Sequence, residues 1–181
     1  MSSDAWISET TPYLAPRERG QSDAWSDQAS RRGRRGNQRL LEVAEVDPPE
    51  GVRLALQLAD GERAVVRRRL ILLDEEPVEL ADSYYPAGIA RGTRLADPRK
   101  VPGGAVTLLA DLGYTGSTVV EDVSADLATQ DELDHLALPE GSPVLHLMRT
   151  TLTKSGEPME VSVMTMPNQR HLTYRLERKA C

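Results

Sequence analysis

Residues 65–86, VVRRRLILLDEEPVELADSYYP, constrain the fold more tightly than any other stretch of this chain. The run from Val65 to Leu73 is rich in β-branched and long apolar residues. A short acidic segment follows to Pro77, and a second run ends at Tyr84-Tyr85-Pro86. The pattern predicts two strands joined by a tight acidic turn. Alternate side chains of a strand point to opposite faces, so Arg67, Arg69, Ile71 and Leu73 share one face and Val66, Arg68, Leu70 and Leu72 the other. Arginines on so apolar a strand are costly to bury unless they are paired or bound to an anion. That conflict between polarity and burial marks the strand as the place to look for function.

The rest of the chain extends the same pattern. Leu40–Val46 reads as a strand, followed by a Pro-Pro turn and a short helix over Val52–Leu58. Pro86–Arg91 reads as a short helix, and Gly103-Gly104 opens another over Ala105–Leu112, ended by Gly113. Thr118–Ala125 alternates as a strand does. Thr129 with Glu132 three residues later is a capping-box signature leading into a helix through Leu138. Pro143–Thr153 and Met159–Met166 are the last long strands, with a short one over His171–Leu176. The total is about six strands joined mostly by hairpins, with helices between them. The expected class is α+β, one antiparallel sheet with helices on its faces.

Composition narrows the function. A net charge of −6 argues against a general nucleic-acid binder. The chain has no Phe, so the core must be Leu, Val, Ala and Met, with Trp and Tyr at its margins. Its one Cys, at position 181, excludes an internal disulfide framework and a Cys-rich metal site. No run approaches the ~20 apolar residues of a membrane span. The amino terminus has no signal-peptide pattern, so the cytoplasm is the default location. His135, His146 and His171 lie far apart without ligand spacing, and no nucleophile elbow, zinc-protease or phosphate-loop motif is present. No catalytic residue, metal or cofactor is therefore expected.

Residues 1–37 read as an irregular arm, punctuated by Pro and Gly. Trp6, Tyr13 and Trp25 stand out in it. Three large aromatics in a polar arm suggest that it docks on its own domain or on a dimer partner, and a disordered tail is the competing reading. The basic run Arg31-Arg32-Gly33-Arg34-Arg35 reads as a solvated loop rather than a phosphate-contacting patch.

Taken in order, several motifs resemble one family. They are the Arg69-x-Ile71-x3-Glu75-x-Pro77 hairpin, Ser83-Tyr84-Tyr85-Pro86, Val101-Pro-Gly-Gly-Ala105, Gly113-Tyr114, Leu138-Pro-Glu-Gly-Ser-Pro143 and Gly156-Glu-Pro-Met-Glu160. From Gln38 to Leu176 the chain is similar to the UTRA domain, the effector-sensing half of GntR-type bacterial transcription regulators of the HutC subfamily. Residues 38–178 would form that domain. The resemblance implies a chorismate-lyase-like fold enclosing a small-molecule pocket, and a homodimer paired through sheet edges. The family carries an amino-terminal winged helix-turn-helix, and nothing before Arg39 shows three amphipathic helices. The expectation is a stand-alone effector domain, or a regulator whose DNA-reading half has been lost or lies elsewhere, that does not itself bind DNA and acts with a DNA-binding partner protein.

The resemblance also implies site residues. Arg69 matches the first arginine of the family's R-x-R strand, which contacts acidic effectors. The second position is Ile71, and Arg67 on the same face is a candidate substitute. A cross-strand salt bridge from Arg69 to Glu79 or Glu121 is the competing reading. Glu160 matches the acidic residue that accepts hydrogen bonds from the effector. Ser162, Met164 and Met166 share its face and would form an adaptable apolar wall. Gly103, Gly104 and Ala105 sit where a helix amino terminus offers free N–H groups to an acid. Of Tyr84 and Tyr85 only one can line the pocket, and Tyr84 is the expected one. An effector with an acidic group and an apolar part follows. Two other readings remain, an enzyme or carrier acting on a small aromatic acid, and an interaction module that forms mixed dimers with a full-length regulator.

Overall fold

A computed structural model describes residues 6–8 by backbone, together with 16, 23–168 and 170–174. Tyr13 and the Trp6 side chain lie outside the described residues. In chain order the elements begin with strand β1 (Trp6–Ser8), helix α1 (Ala24–Ser30), β2 (Gly36–Val46) and α2 (Glu50–Ala55). The central hairpin is β3 (Ala64–Leu73) and β4 (Glu76–Pro86), followed by α3 (Ala87–Ala90) and, after a 3-10 turn over Arg94–Ala96, by α4 (Ala105–Asp111). The chain continues as β5 (Gly116–Leu127), α5 (Gln130–Leu136), β6 (Pro143–Thr153), β7 (Pro158–Pro167) and β8 (Arg170–Leu172).

Six strands form one antiparallel sheet in the order β2-β3-β4-β7-β6-β5. The expected α+β class is the observed one. The short carboxy-terminal strand departs from expectation, since β8 does not join this sheet but pairs in parallel with β1. The β3–β4 turn is two residues long. Asp74 and Glu75 both have positive φ, the backbone twist that suits a two-residue hairpin. Asp74 steadies that turn by accepting the Arg35 N–H at 2.7 Å and Arg34 Nε at 2.6 Å. Part of the basic run thus spends its charge on the hairpin.

Each face of the sheet has its own core. On one face α2 buries Val52 and Leu56 against Val66, Tyr84 and Val161. On the same face α5 sets Leu136 against Leu70, Leu72 and Leu80. The capping box at Thr129 and Glu132 forms as the sequence predicts, and Glu132 also reaches the sheet through Thr165 and His146. On the opposite face Trp25 and Ala29 of α1 pack with Ile71, Leu147, Met164 and Met166 at one end. Tyr85, Leu95, Leu109 and Met159 pack at the other. The aromatic residues are not marginal. Tyr85 is 1% exposed, and Trp25 and Tyr84 are also buried, so these three rings fill space that Phe would otherwise take.

The arm is less irregular than its sequence suggests. Residues 24–30 form α1, started by Asp23, whose carboxylate accepts the Ser26 N–H at 3.0 Å. The signal was present as Asp23 followed by Trp25 and Ala29 four residues apart. Trp25 docks on its own domain, with the indole N–H donating to the Leu72 carbonyl at 2.8 Å.

Candidate functional site

The two cores of the second face do not meet. Between them lies a cavity of about 280 Å³, walled by α1, the start of α4 and the exposed sides of the central strands. Strand alternation brings Arg69, Glu160, Ser162, Met164 and Met166 to this cavity, and Gly103, Gly104 and Ala105 close one side. Gln38, Glu79, Tyr85, Arg149, Arg170 and Trp25 add to the polar and aromatic lining. A smaller recess of about 120 Å³ opens beside it between Arg67, Arg69 and Lys100.

A chain of hydrogen bonds crosses the cavity diagonally over three strands. An Arg69 terminal nitrogen donates to Ser83 Oγ at 2.8 Å. Ser83 and Ser162 hydroxyls lie 2.9 Å apart, and Ser162 donates to Glu160 Oε1 at 3.2 Å. Tyr85 donates to the same oxygen at 2.9 Å. Arg69 can only donate, and Ser162 commits its proton to Glu160, so Ser83 is the donor to Ser162. Burial, and then the neighbouring Glu160, push the Tyr85 hydroxyl far above its ordinary range, so it stays a neutral donor.

Arg69 has no carboxylate partner among the described residues. Its other hydrogen bond is to Gln38 Oε1 at 3.4 Å, and its Nε is buried with no acceptor. The competing salt bridges are taken elsewhere. Glu79 pairs with Arg170 at 3.1 Å and Glu121 with Arg149 at 2.6 Å. Arg170 also lies 5.5 Å over the Trp25 ring, which joins α1 to the ion pair at the apolar end of the cavity.

Two expected site residues do not line the main cavity. Tyr84 packs on the opposite face with Val52 and Val66, and Tyr85 lines the cavity in its place. Arg67 does face the cavity side, but it is 5% exposed and committed to backbone carbonyls. It donates to Arg94 at 3.3 Å, Leu95 at 2.9 Å, Asp97 at 2.6 Å and Arg99 at 2.9 Å. Burial lowers its pKa, opposed in part by Tyr85 and reinforced by its neighbour Arg69. Its visible work is to pin the loop that leads into α4. The glycines need a correction too. The Gly104 N–H is used by the Val101 carbonyl at 3.0 Å, so the three amides do not act together on an acid. Gly103 and Gly104 adopt φ of 73° and 84°, a turn that brings backbone to the cavity wall without strain.

Comparison with known proteins bears on this geometry. The UTRA domain family matches residues 31–171. The chain belongs to the UTRA domain family. Over 138 residues it is 33% identical to the uncharacterized HTH-type transcriptional regulator SCO4628 of Streptomyces coelicolor, a match covering 75% of this chain and 51% of that protein. A GntR-family transcriptional regulator superimposes with a TM-score of 0.78 at 22% identity, covering 91% of this chain and 68% of that one. The ligand-binding domain of a GntR-family regulator from Bordetella bronchiseptica gives 0.69 at 25% identity, covering 91% and 96%. The chain spans about half the length of the curated relatives it matches. No helix among the described residues is long and apolar enough to cross a membrane.

Proposed function

We propose that this UTRA domain senses a small effector carrying an acidic group, a hydrogen-bond donor and an apolar body, and binds it without transforming it. The observation that carries the reading is Arg69, a guanidinium at the cavity wall with a buried, unaccepted N–H and no carboxylate partner among the described residues. A planar fork of donors in that state suits a carboxylate or phosphate. Glu160 stands across the serine pair with one oxygen held by Tyr85 and Ser162, leaving the other for a ligand donor. Met164, Met166 and Trp25 offer an adaptable apolar end.

The effector would shift a homodimer between arrangements that a DNA-binding region or partner protein reads, in the cytoplasm. Strand β5 is the natural dimer edge. It has no strand beyond it among the described residues, and Val120, Val123 and Leu127 are exposed along it.

The test is a thermal-shift screen with aromatic acids, acyl acids, amino acids and sugar phosphates, with Arg69→Ala and Glu160→Ala in parallel. A ligand at a hundred times its Kd adds about 2.7 kcal/mol of stability. A shift in the parent that both variants lose supports the reading. Shifts that ignore both substitutions sink it. Silence across the panel moves the weight to a module that forms mixed dimers with a regulator.

A further inference from the structure

The cavity is not closed by the sheet domain alone. Its apolar end is covered by α1, which follows the amino-terminal segment and contributes Asp23, Ala24 and Trp25 to the lining. Polar contacts hold α1 down beside the Arg170 guanidinium that lies over Trp25. The Trp25 indole donates to the Leu72 carbonyl at 2.8 Å, and Ser26 Oγ to the Gly36 carbonyl at 3.3 Å. At the rim, Lys100 Nζ reaches Asp23 Oδ2 at 3.3 Å. Lys100 belongs to the loop that carries Gly103 and Gly104, so this pair bridges the two lips of the cavity. It is solvent-facing on the lysine side, and such pairs are weak.

The base of α1 is made to measure. A Cβ on Gly36 would lie 2.8 Å from Trp25 Nε1 and 2.9 Å from the Ala29 Cβ, so any larger residue would lift the helix. Only Trp25 and Ala29 of α1 are buried. A helix this short with so little buried surface is held by its docking and not by its own propensity. Trp25 belongs to the same packed cluster as Met164 and Met166. A ligand body resting on those methionines therefore also rests on Trp25.

We propose that α1 is a movable cover of the cavity, latched at Asp23–Lys100 and seated on Gly36, which a bound effector clamps down through Trp25. This rests on the reading of the cavity as the effector site. The cover hands occupancy to the chain upstream, and a second contact runs the same way, since β1 pairs with β8 beside the cavity-lining Arg170 and Leu172. A ligand can shift the cover only by binding its closed form better, and contact with Trp25 supplies that difference.

The experiment uses the full chain with Trp6→Phe, which leaves Trp25 as the single tryptophan. Acrylamide quenching of Trp25 and guanidinium unfolding by circular dichroism are measured for this parent, for Lys100→Met and for Gly36→Ala. Quenching severalfold stronger in either variant, with the unfolding midpoint nearly unmoved, is the expected result. Trp25 shielded in both variants, or exposed only as the sheet unfolds, overturns the proposal. Octanoate is the ligand probe and should shield Trp25 in the parent. Octanoate that raises the Tm yet leaves quenching unchanged overturns the cover and spares the effector site. If no acid of the panel binds while Lys100→Met still exposes Trp25, the cover stands and the effector reading falls.

Discussion

The Tyr85 hydroxyl on β4 donates to Glu160 Oε1 on β7 at 2.9 Å, and the ring behind it is buried. One oxygen of the carboxylate is thereby fixed before any ligand arrives. Tyr85→Phe keeps the packing and removes the donor. Hydrogen bonds to a charged group contribute about 1.5–3 kcal/mol, and a loss of that order in denaturant unfolding is expected. Tyr84 makes no hydroxyl bond among the described residues, so Tyr84→Phe should stay within about 0.5 kcal/mol of the parent. Equal losses for the two tyrosines would contradict the assignment of faces.

Arg67 should matter to the loop more than to any ligand. Arg67→Met would leave the carbonyls of Leu95, Asp97 and Arg99 without their shared donor. The Leu95 bond is buried and the other two partly so; an unsatisfied buried acceptor costs about 1–3 kcal/mol, and a loss of that order is expected. Hydrogen exchange should quicken over residues 94–104 first. Lysine should not rescue the variant, because a single ammonium cannot fork to carbonyls that the guanidinium reaches together.

Glu132 gives the fold an acid-sensitive point. Burial pushes its carboxyl up, but hydrogen bonds from the Thr129 N–H, His146, Thr129 Oγ1 and Thr165 outweigh it and hold it below the ordinary value of 4.5. The unfolded chain therefore binds this proton more readily than the folded one. The stabilisation is complete above about pH 4.5 and is lost as the pH falls through the lower folded value. Glu132→Gln should be less stable at neutral pH, and its stability should fall less steeply between about pH 5 and 3. Unfolding midpoints across that range check both signs.

The β5 edge carries the dimer reading. Lysine on an edge strand blocks pairing with a second copy. Val123→Lys should convert a dimer to a monomer in sedimentation velocity at matched concentration, and leave the ligand-induced thermal shift in place. An unchanged oligomeric state would place the interface elsewhere.

The alternation of β3 and β7 was enough to group Arg69 with Ile71, and Glu160 with Ser162, Met164 and Met166. It could not choose between the tyrosines, and the reason is local. The turn pairs Leu73 with Glu76 and Leu72 with Pro77, a register that would set Tyr84 opposite Val65. A bulge between Leu72 and Ile71 adds one residue to β4, so Ile71 meets Glu79 and Val65 meets Tyr85. A slip of one residue exchanges the faces of everything beyond it. Arg67 was put on the right face, but no local signal announces that residues 94–99 fold over it. Helix α1 carried a weak local signal in Asp23, Trp25 and Ala29, but the contact that seats it, Trp25 on the Leu72 carbonyl, lies far along the chain.

The hydrogen-bond chain has one further consequence. It begins at a group that can only give protons and ends at an oxygen that receives two, with the two serines aligned between them. With the Ser162 proton given to Glu160, the Ser83 proton points to Ser162. On the proposed reading the cavity is a one-way slot. A molecule offering its acid to Arg69 and its donor to Glu160 fits, and the same molecule turned end for end meets a donor with a donor. Two isomers of equal size, charge and hydrophobicity would then be told apart by direction alone.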